Sequence, residues 1–359
     1  MTILVASTLA PAPAAQAGRV RAEAFHLGWY DILSESRRLP EMAREGAAIV
    51  VAYHRDGADP RSYLDAAGAA GMGVMLQIQR RLIARGEIAA IRAFVERHRD
   101  HPALYGWYLL DEPTIAPPRV APGAALSAYR AIKSVDDDHP VAIAFGVTED
   151  ARPYLKAMDV MMYDDYPTDH GRREFHGLPG WWRRLKDRAA LAADEEGFVP
   201  ILQGFGEDEV GRPQFSKRLP TPAEARYMAF SAVAAGGTSI IYWTRNRTRE
   251  EWVRSVFLPI AEEIQRHAPA FERGPVPGVT VAGLDVTGSL YHNPRDGSYV
   301  LLAIHHGPGR VLAGMTLHSR QLRRAVEVSQ DGPPVATSGD VIVDTFGPYE
   351  VRIYELGAG

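Results

Sequence analysis

Ala103-Leu104-Tyr105-Gly106-Trp107-Tyr108-Leu109-Leu110-Asp111-Glu112-Pro113 reads as a short buried strand that runs straight into two adjacent carboxylates and a proline. Apolar and aromatic residues without a break over so short a span suit a strand covered on both faces, as in a parallel sheet. Proline ends such a strand, because it has no N–H for the ladder and fixes its own φ. The stretch therefore predicts two acids at the carboxyl end of a buried strand, where α/β proteins gather their chemistry. Adjacent acids in a tight aromatic setting repel one another, which raises the pKa of at least one. A carboxylic acid that stays protonated at neutral pH is what general acid catalysis needs. Taken alone, Asp-Glu-Pro reads equally well as a solvated turn. The rest of the chain decides.

Outward from this stretch, strand-like and helix-like segments alternate. Strands are expected at Ala24–Tyr30, Ala47–Tyr53, Gly73–Gln79, Leu104–Leu110, Val141–Phe145, Val160–Asp164, Val199–Gln203 and Ser239–Trp243. Helical patterns lie between them at Arg61–Ala70, Glu87–Arg99, Ala124–Val135, Trp181–Glu195 and Pro222–Ala235. Asp59-Pro60 and Thr221-Pro222 mark helix starts, with Glu224 completing a capping box. Gly46, Gly71 and Gly236 mark helix ends. Eight strands alternating with helices predict a closed (β/α)₈ TIM barrel over residues 19–273. An open doubly wound sheet would carry a glycine fingerprint after its first strand, where this chain has Gly28-Trp29-Tyr30-Asp31. The glycines at 68, 71 and 73 read as a helix stop, not a phosphate cradle.

Past Arg273-Gly274-Pro275-Val276-Pro277-Gly278 the period changes to strands divided by turn residues. Residues 274–359 are expected to form a small antiparallel β-sandwich with no ligand signature of its own. His305-His306 is no metal pair, since neighbours on a strand point to opposite faces. At the other end, residues 1–18 form an apolar and Ala/Pro-rich segment with the triplet Ala15-Gln16-Ala17, which resembles a signal-peptidase site. That reading makes the protein secreted or periplasmic.

Composition narrows the function. The 359 residues carry a formal charge of -4, with 46% hydrophobic and 23% charged residues, ordinary for a globular enzyme. No basic excess argues for nucleic acid, and no segment reaches the length of a membrane span. Without a single cysteine there is no disulfide, thiolate metal site or cysteine nucleophile.

In a barrel the strand ends converge on one pocket. They offer Trp29, Tyr30 and Asp31; Tyr53 and His54; Gln77 and Gln79; Asp111 and Glu112; Phe145; Tyr163, Asp164, Asp165 and Tyr166; Gln203, Phe205 and Glu207; Trp243 and Arg245. A lone aromatic at a strand end is more often core than ligand. So many together point to a sugar site, where aromatic faces stack on C–H faces and amides, imidazoles and acids bind hydroxyls. No His-x-His or Glu-x-x-His spacing supports a metal at these ends, and no Gly-x-Ser-x-Gly elbow supports a serine hydrolase.

Across residues 24 to 355 the chain resembles the (β/α)₈ glycoside hydrolases and their secreted relatives. The resemblance lies in Gly106-Trp107-Tyr108-Leu109-Leu110-Asp111-Glu112-Pro113, in Asp164-Asp165-Tyr166-Pro167, and in Ala234-Ala235-Gly236-Gly237-Thr238-Ser239-Ile240-Ile241-Tyr242-Trp243. It implies Glu112 as the general acid/base and Trp243 as the floor of a sugar subsite. One departure stands out: the large retaining clan places its nucleophile Glu at the end of strand seven, where this chain has Gln203. Met162-Tyr163-Asp164 resembles the strand-six motif of chitinases, and adjacent Asp-Glu resembles β-hexosaminidases. In both, the substrate's own acetamido group is the nucleophile.

The sequence thus predicts a glycoside hydrolase that needs no cofactor, acting on a carbohydrate through paired carboxylates. Glu112 is the expected acid/base, Asp111 its pKa-setting or substrate-orienting neighbour, and Asp164 the leading second carboxylate, with Asp165 and Glu207 in reserve. Tyr30, Tyr53, His54, Gln77, Tyr163, Asp165, Tyr166, Gln203, Glu207 and Trp243 are the expected sugar contacts. The rival classes are a non-catalytic carbohydrate-binding barrel and a metal-dependent lyase or isomerase on the same fold.

Overall fold

The computed structural model describes residues 24–54, 58–169, 172–206, 217–318, 326–328 and 337–356. The signal-like segment expected over residues 1–18 lies outside the described residues, and so does Glu207.

Strands β1 (His26–Ile32), β2 (Ile49–Tyr53), β3 (Gly73–Gln77), β4 (Leu104–Asp111), β5 (Val141–Phe145), β6 (Val160–Asp164), β7 (Gly197–Gln203) and β8 (Ser239–Trp243) pair in parallel and in chain order. β8 closes the barrel onto β1, with His26 opposite Ser239. The period-two alternation of each strand sorts its side chains. Tyr30, Val51, Met75, Tyr108, Ala142, Met162, Ile201 and Ile241 fill the interior as one cluster. Their neighbours Trp29, Val50, Leu76, Trp107, Ile143, Met161, Leu202 and Tyr242 pack outward among the helices. The inner layer explains the glycine in the diagnostic stretch. A Cβ on Gly106 would meet the Met75 sulfur at 2.7 Å and the Pro140 carbonyl oxygen at 2.8 Å.

The helix Pro60–Ala69 begins at Asp59, whose carboxylate accepts from the amides of Arg61 and Ser62. The helix Pro222–Ala234 begins with the capping box of Thr221 and Glu224. Gly46, Gly71 and Gly236 end their helices at positive φ, as expected. The link from β5 to β6 is a 3-10 turn, Arg152–Ala157, and not an α-helix.

After the helix Leu258–Phe271 the chain forms β9 (Val279–Ala282), β10 (Val286–His292), β11 (Tyr299–His305), β12 (Val311–Leu317), β13 (Val326–Val328), β14 (Thr337–Ser338), β15 (Val341–Phe346) and β16 (Val351–Leu356). They build two sheets, β10-β11-β16-β13 and β14-β15-β12-β9, so the antiparallel sandwich is present. β10 carries a glycine in its interior. Its Gly288 dilutes the strand pattern, yet a Cβ there would meet the Val281 side chain at 2.6 Å.

The sandwich is bolted to the barrel. Arg226 donates to both oxygens of Glu263 and to the Val351 carbonyl. His306 stacks on Trp182 at 4.2 Å between centroids, and its ring nitrogens lie 2.9 Å from the Tyr227 hydroxyl and 2.8 Å from that of Thr287. Burial, then the Lys186 and His305 charges, push its pKa down to about 3, so the ring is neutral. Among the described residues no helix is long and apolar enough to cross a membrane.

Candidate active site

A cavity of about 320 Å³ opens at the carboxyl ends of the barrel strands, walled by Tyr30, Tyr53, Tyr166 and Trp243 and floored by Asp111, Glu112 and Asp164. A larger one, about 690 Å³, opens at the amino-terminal pole, but its inner wall is aliphatic: Val51, Met75, Ala142 and Met162. Glu112 and Asp164 lie at the other pole and line the smaller cavity.

Simple alternation would send Asp111 and Glu112 to opposite faces. Both line the pocket, because Glu112 has φ +45, in the left-handed region. That conformation costs energy for a non-glycine residue and persists only where its surroundings enforce it. Here the Glu112 amide donates to the Ala144 carbonyl at 3.0 Å, while the amides of Ile115 and Ala116 donate back to the Glu112 carbonyl at 3.2 and 3.0 Å.

Asp111 is held by hydroxyls. Tyr108 donates to its Oδ1 at 2.7 Å and Tyr53 to its Oδ2 at 3.1 Å, while Tyr30 donates to the Tyr108 oxygen at 3.1 Å. Burial raises its pKa and the two tyrosine hydrogen bonds oppose that. With both oxygens engaged, Asp111 orders the aromatic wall and sets its charge against Glu112.

Glu112 is pushed up to about 7, first by burial, then by the negative charges of Asp111 and Glu149, with Arg80 opposing. Asp164 is raised well above the usual carboxylate range by burial, then by Glu112, Asp111 and Glu149. Tyr166 donates to its Oδ2 at 3.4 Å, while Oδ1 is buried and accepts no hydrogen bond among the described residues. The two acids meet over Gly146. A Cβ on that residue would stand 2.5 Å from Glu112 Oε1 and 3.5 Å from Asp164 Oδ1, so these oxygens are no further apart than the sum of the two distances. Only glycine leaves that space empty.

Five of the expected residues are placed differently. Gln203 is fully buried and braces loops: it accepts from the Thr168 amide and donates to the carbonyls of Phe205 and Arg218 at 3.1 and 2.8 Å. It does not line the cavity. Gln77 spends its carbonyl on the His54 amide at 2.9 Å and stays outside the cavity. Tyr163 points outward between Met162 and Asp164, lying under the Arg188 guanidinium. His54 stands in an adjoining cavity of about 220 Å³ that shares Tyr53 and Trp243 with the first. Asp165 reaches the wall but is ion-paired with Arg184 at 2.7 Å. Tyr30, Tyr53, Tyr166 and Trp243 line the pocket as expected, Tyr166 and Trp243 stacked at 6.0 Å.

Sequence reasoning missed Gly146, Glu149 and Lys217. Lys217 donates to the Tyr166 carbonyl at 2.5 Å and to Asp169 at 2.6 Å, pinning one wall. Gly146 directly follows β5 and was legible as a strand-end residue; the partners of Glu149 and Lys217 were not. Among the described residues, the acids grouped closely enough to share one ion are Glu41, Glu45 and Glu250. The Arg245 guanidinium already sits among them, 2.8 Å from Glu45 and 2.9 Å from Glu250.

No family model and no curated protein matches the sequence. Solved structures do match its fold. A family 27 β-L-arabinopyranosidase from Geobacillus stearothermophilus superposes with a TM-score of 0.63 at 11% identity, over 94% of this chain and 97% of that one. An Anoxybacillus α-amylase gives 0.59 at 11% identity, over 96% and 94%. A glycoside hydrolase family 5 protein from Bacteroides vulgatus gives 0.57 at 14% identity, over 93% and 89%. The chain therefore has the (β/α)₈ fold found in glycoside hydrolases of several families. At these identities the likeness speaks for the fold, and the chemistry rests on the site.

Proposed function

We propose that the protein is a glycoside hydrolase, with Glu112 as general acid/base and Asp164 as the second carboxylate. The observation that carries this reading is the pair of acids converging over Gly146 inside an aromatic-walled pocket. A sugar ring between Trp243, Tyr166, Tyr53 and Tyr30 would bury its C–H faces on the rings and leave its hydroxyls to the acids. A structural neighbour supports the substrate class, since a variant of the Geobacillus arabinopyranosidase is known in complex with arabinose.

The assignment follows from environment. A group that gives and retakes a proton works best with a pKa near the operating pH and a path to solvent. Glu112, half-buried and pushed to about 7, has both. Asp164 lies deeper: it lines the cavity, while its Oδ1 is buried and accepts no hydrogen bond among the described residues. Its ionisation is opposed by Glu112's charge, so a proton on Glu112 favours a carboxylate on Asp164. In the first step Glu112 protonates the glycosidic oxygen as it leaves, and the Asp164 carboxylate bonds to the anomeric carbon. In the second, Glu112 takes a proton from water, which displaces Asp164. Carboxyl groups of retaining glycosidases stand about 5–5.5 Å apart and those of inverting ones about 6.5–9.5 Å. The Gly146 distances bound the nearest oxygens alone, and that bound is compatible with the retaining spacing.

Gln203 no longer favours a non-catalytic barrel. It is a loop brace, and the second acid comes from β6. Export to the periplasm or the medium is part of the proposal and rests on the Ala15-Gln16-Ala17 triplet. The test is a panel of aryl glycosides and natural polysaccharides with the wild type and Glu112→Gln. Turnover by the wild type and its loss in the variant are expected, and a wild type inert across the panel would overturn the reading.

A further inference from the structure

Glu149 is a buried acid, only 3% exposed, three residues past the end of the Gly146 turn's first residue and outside the reacting pair. Its Oε1 accepts from the Thr114 amide at 2.7 Å and the Thr114 hydroxyl at 2.5 Å, and its Oε2 accepts from the Gly146 amide at 3.0 Å. Thr114 belongs to the left-handed turn that presents Glu112. Gly146 is the bare Cα over which Glu112 and Asp164 meet. One carboxylate thus ties together the two segments that flank Glu112, using neutral donors throughout.

We propose that Glu149 is a positioning residue for the carboxylate pair, holding the Glu112 turn and the Gly146 backbone at a fixed separation. This rests on the reading of Glu112 and Asp164 as the reacting acids. A loop staple could be built from a neutral side chain. Glutamine would satisfy Thr114 with its one carbonyl oxygen, but its NH₂ would then face the Gly146 amide, donor against donor. A carboxylate can accept on both sides, and it also leaves a charge beside Glu112 at a cost in burial.

That charge gives the proposal a readout which a staple alone would lack. The groups acting on Glu112 are Asp111 beside it, Glu149 across the turn, and Arg80 as the opposing cation; Asp164 faces it over Gly146. Removing a neighbouring negative charge makes ionisation easier, so Glu112 should titrate at lower pH without Glu149.

The experiment follows the Glu112 carboxyl by carbon-13 NMR in the whole protein, its signal assigned by its loss in Glu112→Gln. Wild type, Glu149→Gln and Glu149→Ala are compared. We expect both variants to be folded, with the Glu112 midpoint lowered by about half a pH unit to one unit. With any glycoside the wild type hydrolyses, kcat should fall about 10-fold or more while KM changes little, because the reacting groups and not the sugar wall have moved. An unmoved Glu112 midpoint in folded Glu149→Gln would overturn the proposal. Misfolding of both variants would overturn it too, in favour of a purely structural acid. The titration needs no substrate, so it stands apart from a failure of the glycosidase reading, which would show as an inert wild type.

Discussion

Glu112 Oε1 and Asp164 Oδ1 approach one point in space, the Cβ that Gly146 does not have, at 2.5 and 3.5 Å. Three barrel strands meet there, since Glu112 follows β4, Gly146 follows β5 and Asp164 ends β6. Parallel closure in chain order makes these three ends neighbours. The fold thus supplies the pair, and the glycine leaves it room.

Gly146→Ala tests that relationship. The new methyl would collide with the far end of a flexible, half-buried side chain, so Glu112 moves and the backbone does not. We expect a melting temperature within a few degrees of the wild type and a fall in kcat of about 10²-fold, the usual result of an ångström-scale misplacement. Full activity in the variant would show that Glu112 works from another position.

Stability should carry the signature of the buried acids. Glu112 is raised from 4.5 to about 7 in the folded protein, so folding favours its protonated form. The stabilisation is fully present below about pH 4.5 and is lost as pH rises through 7. Glu112→Gln cannot ionise. It should melt above the wild type at pH 8, with the difference disappearing near pH 4. Thermal melts across that range would show it, and a gap independent of pH would mean that Glu112 titrates normally.

Asp164→Ala should abolish hydrolysis, and added azide should restore part of it by forming a glycosyl azide in the space left by the carboxylate. Chromatography of the product would identify the azide adduct. Activity unaffected by the substitution would pass the role of second acid to another group.

Arg245 gives a prediction on stability alone. Its guanidinium is 2% exposed and binds both Glu45 oxygens, at 3.0 and 2.8 Å, just beyond Trp243. Arg245→Met strands the buried Glu45 carboxylate and should cost about 3–5 kcal/mol, as breaking a buried pair usually does. Chemical denaturation would measure it, and a loss under 1 kcal/mol would show that Glu45 finds water instead.

The fold was largely legible because it rests on local pattern. The bounds of β5, β6 and β8 follow directly from runs of apolar residues, and the helix signals at Asp59, Thr221, Gly46 and Gly236 need only their neighbours. Glu112, Asp164 and Trp243 were legible as strand-end residues. Tyr163 was misplaced although alternation with Met162 and Asp164 already turns it outward. Gln203 and Glu149 are a different matter. What each does depends on partners 15 to 35 residues away, such as Arg218 for Gln203 and Thr114 for Glu149, and no local pattern encodes those contacts. The left-handed turn at Glu112, which brings it round beside Asp111, is likewise set by the hydrogen bonds of the folded chain.

The pairing of Glu112 with Asp164 is tested most directly by the stereochemistry of the product. Hydrolysis of a glycoside the enzyme accepts is followed by proton NMR during the first turnovers, before mutarotation mixes the anomers. With Asp164 as the nucleophile, the first sugar released keeps the anomeric configuration of the substrate. Release of the inverted anomer would contradict the account, because it would make Asp164 a base acting on water and not the group that bonds to the anomeric carbon.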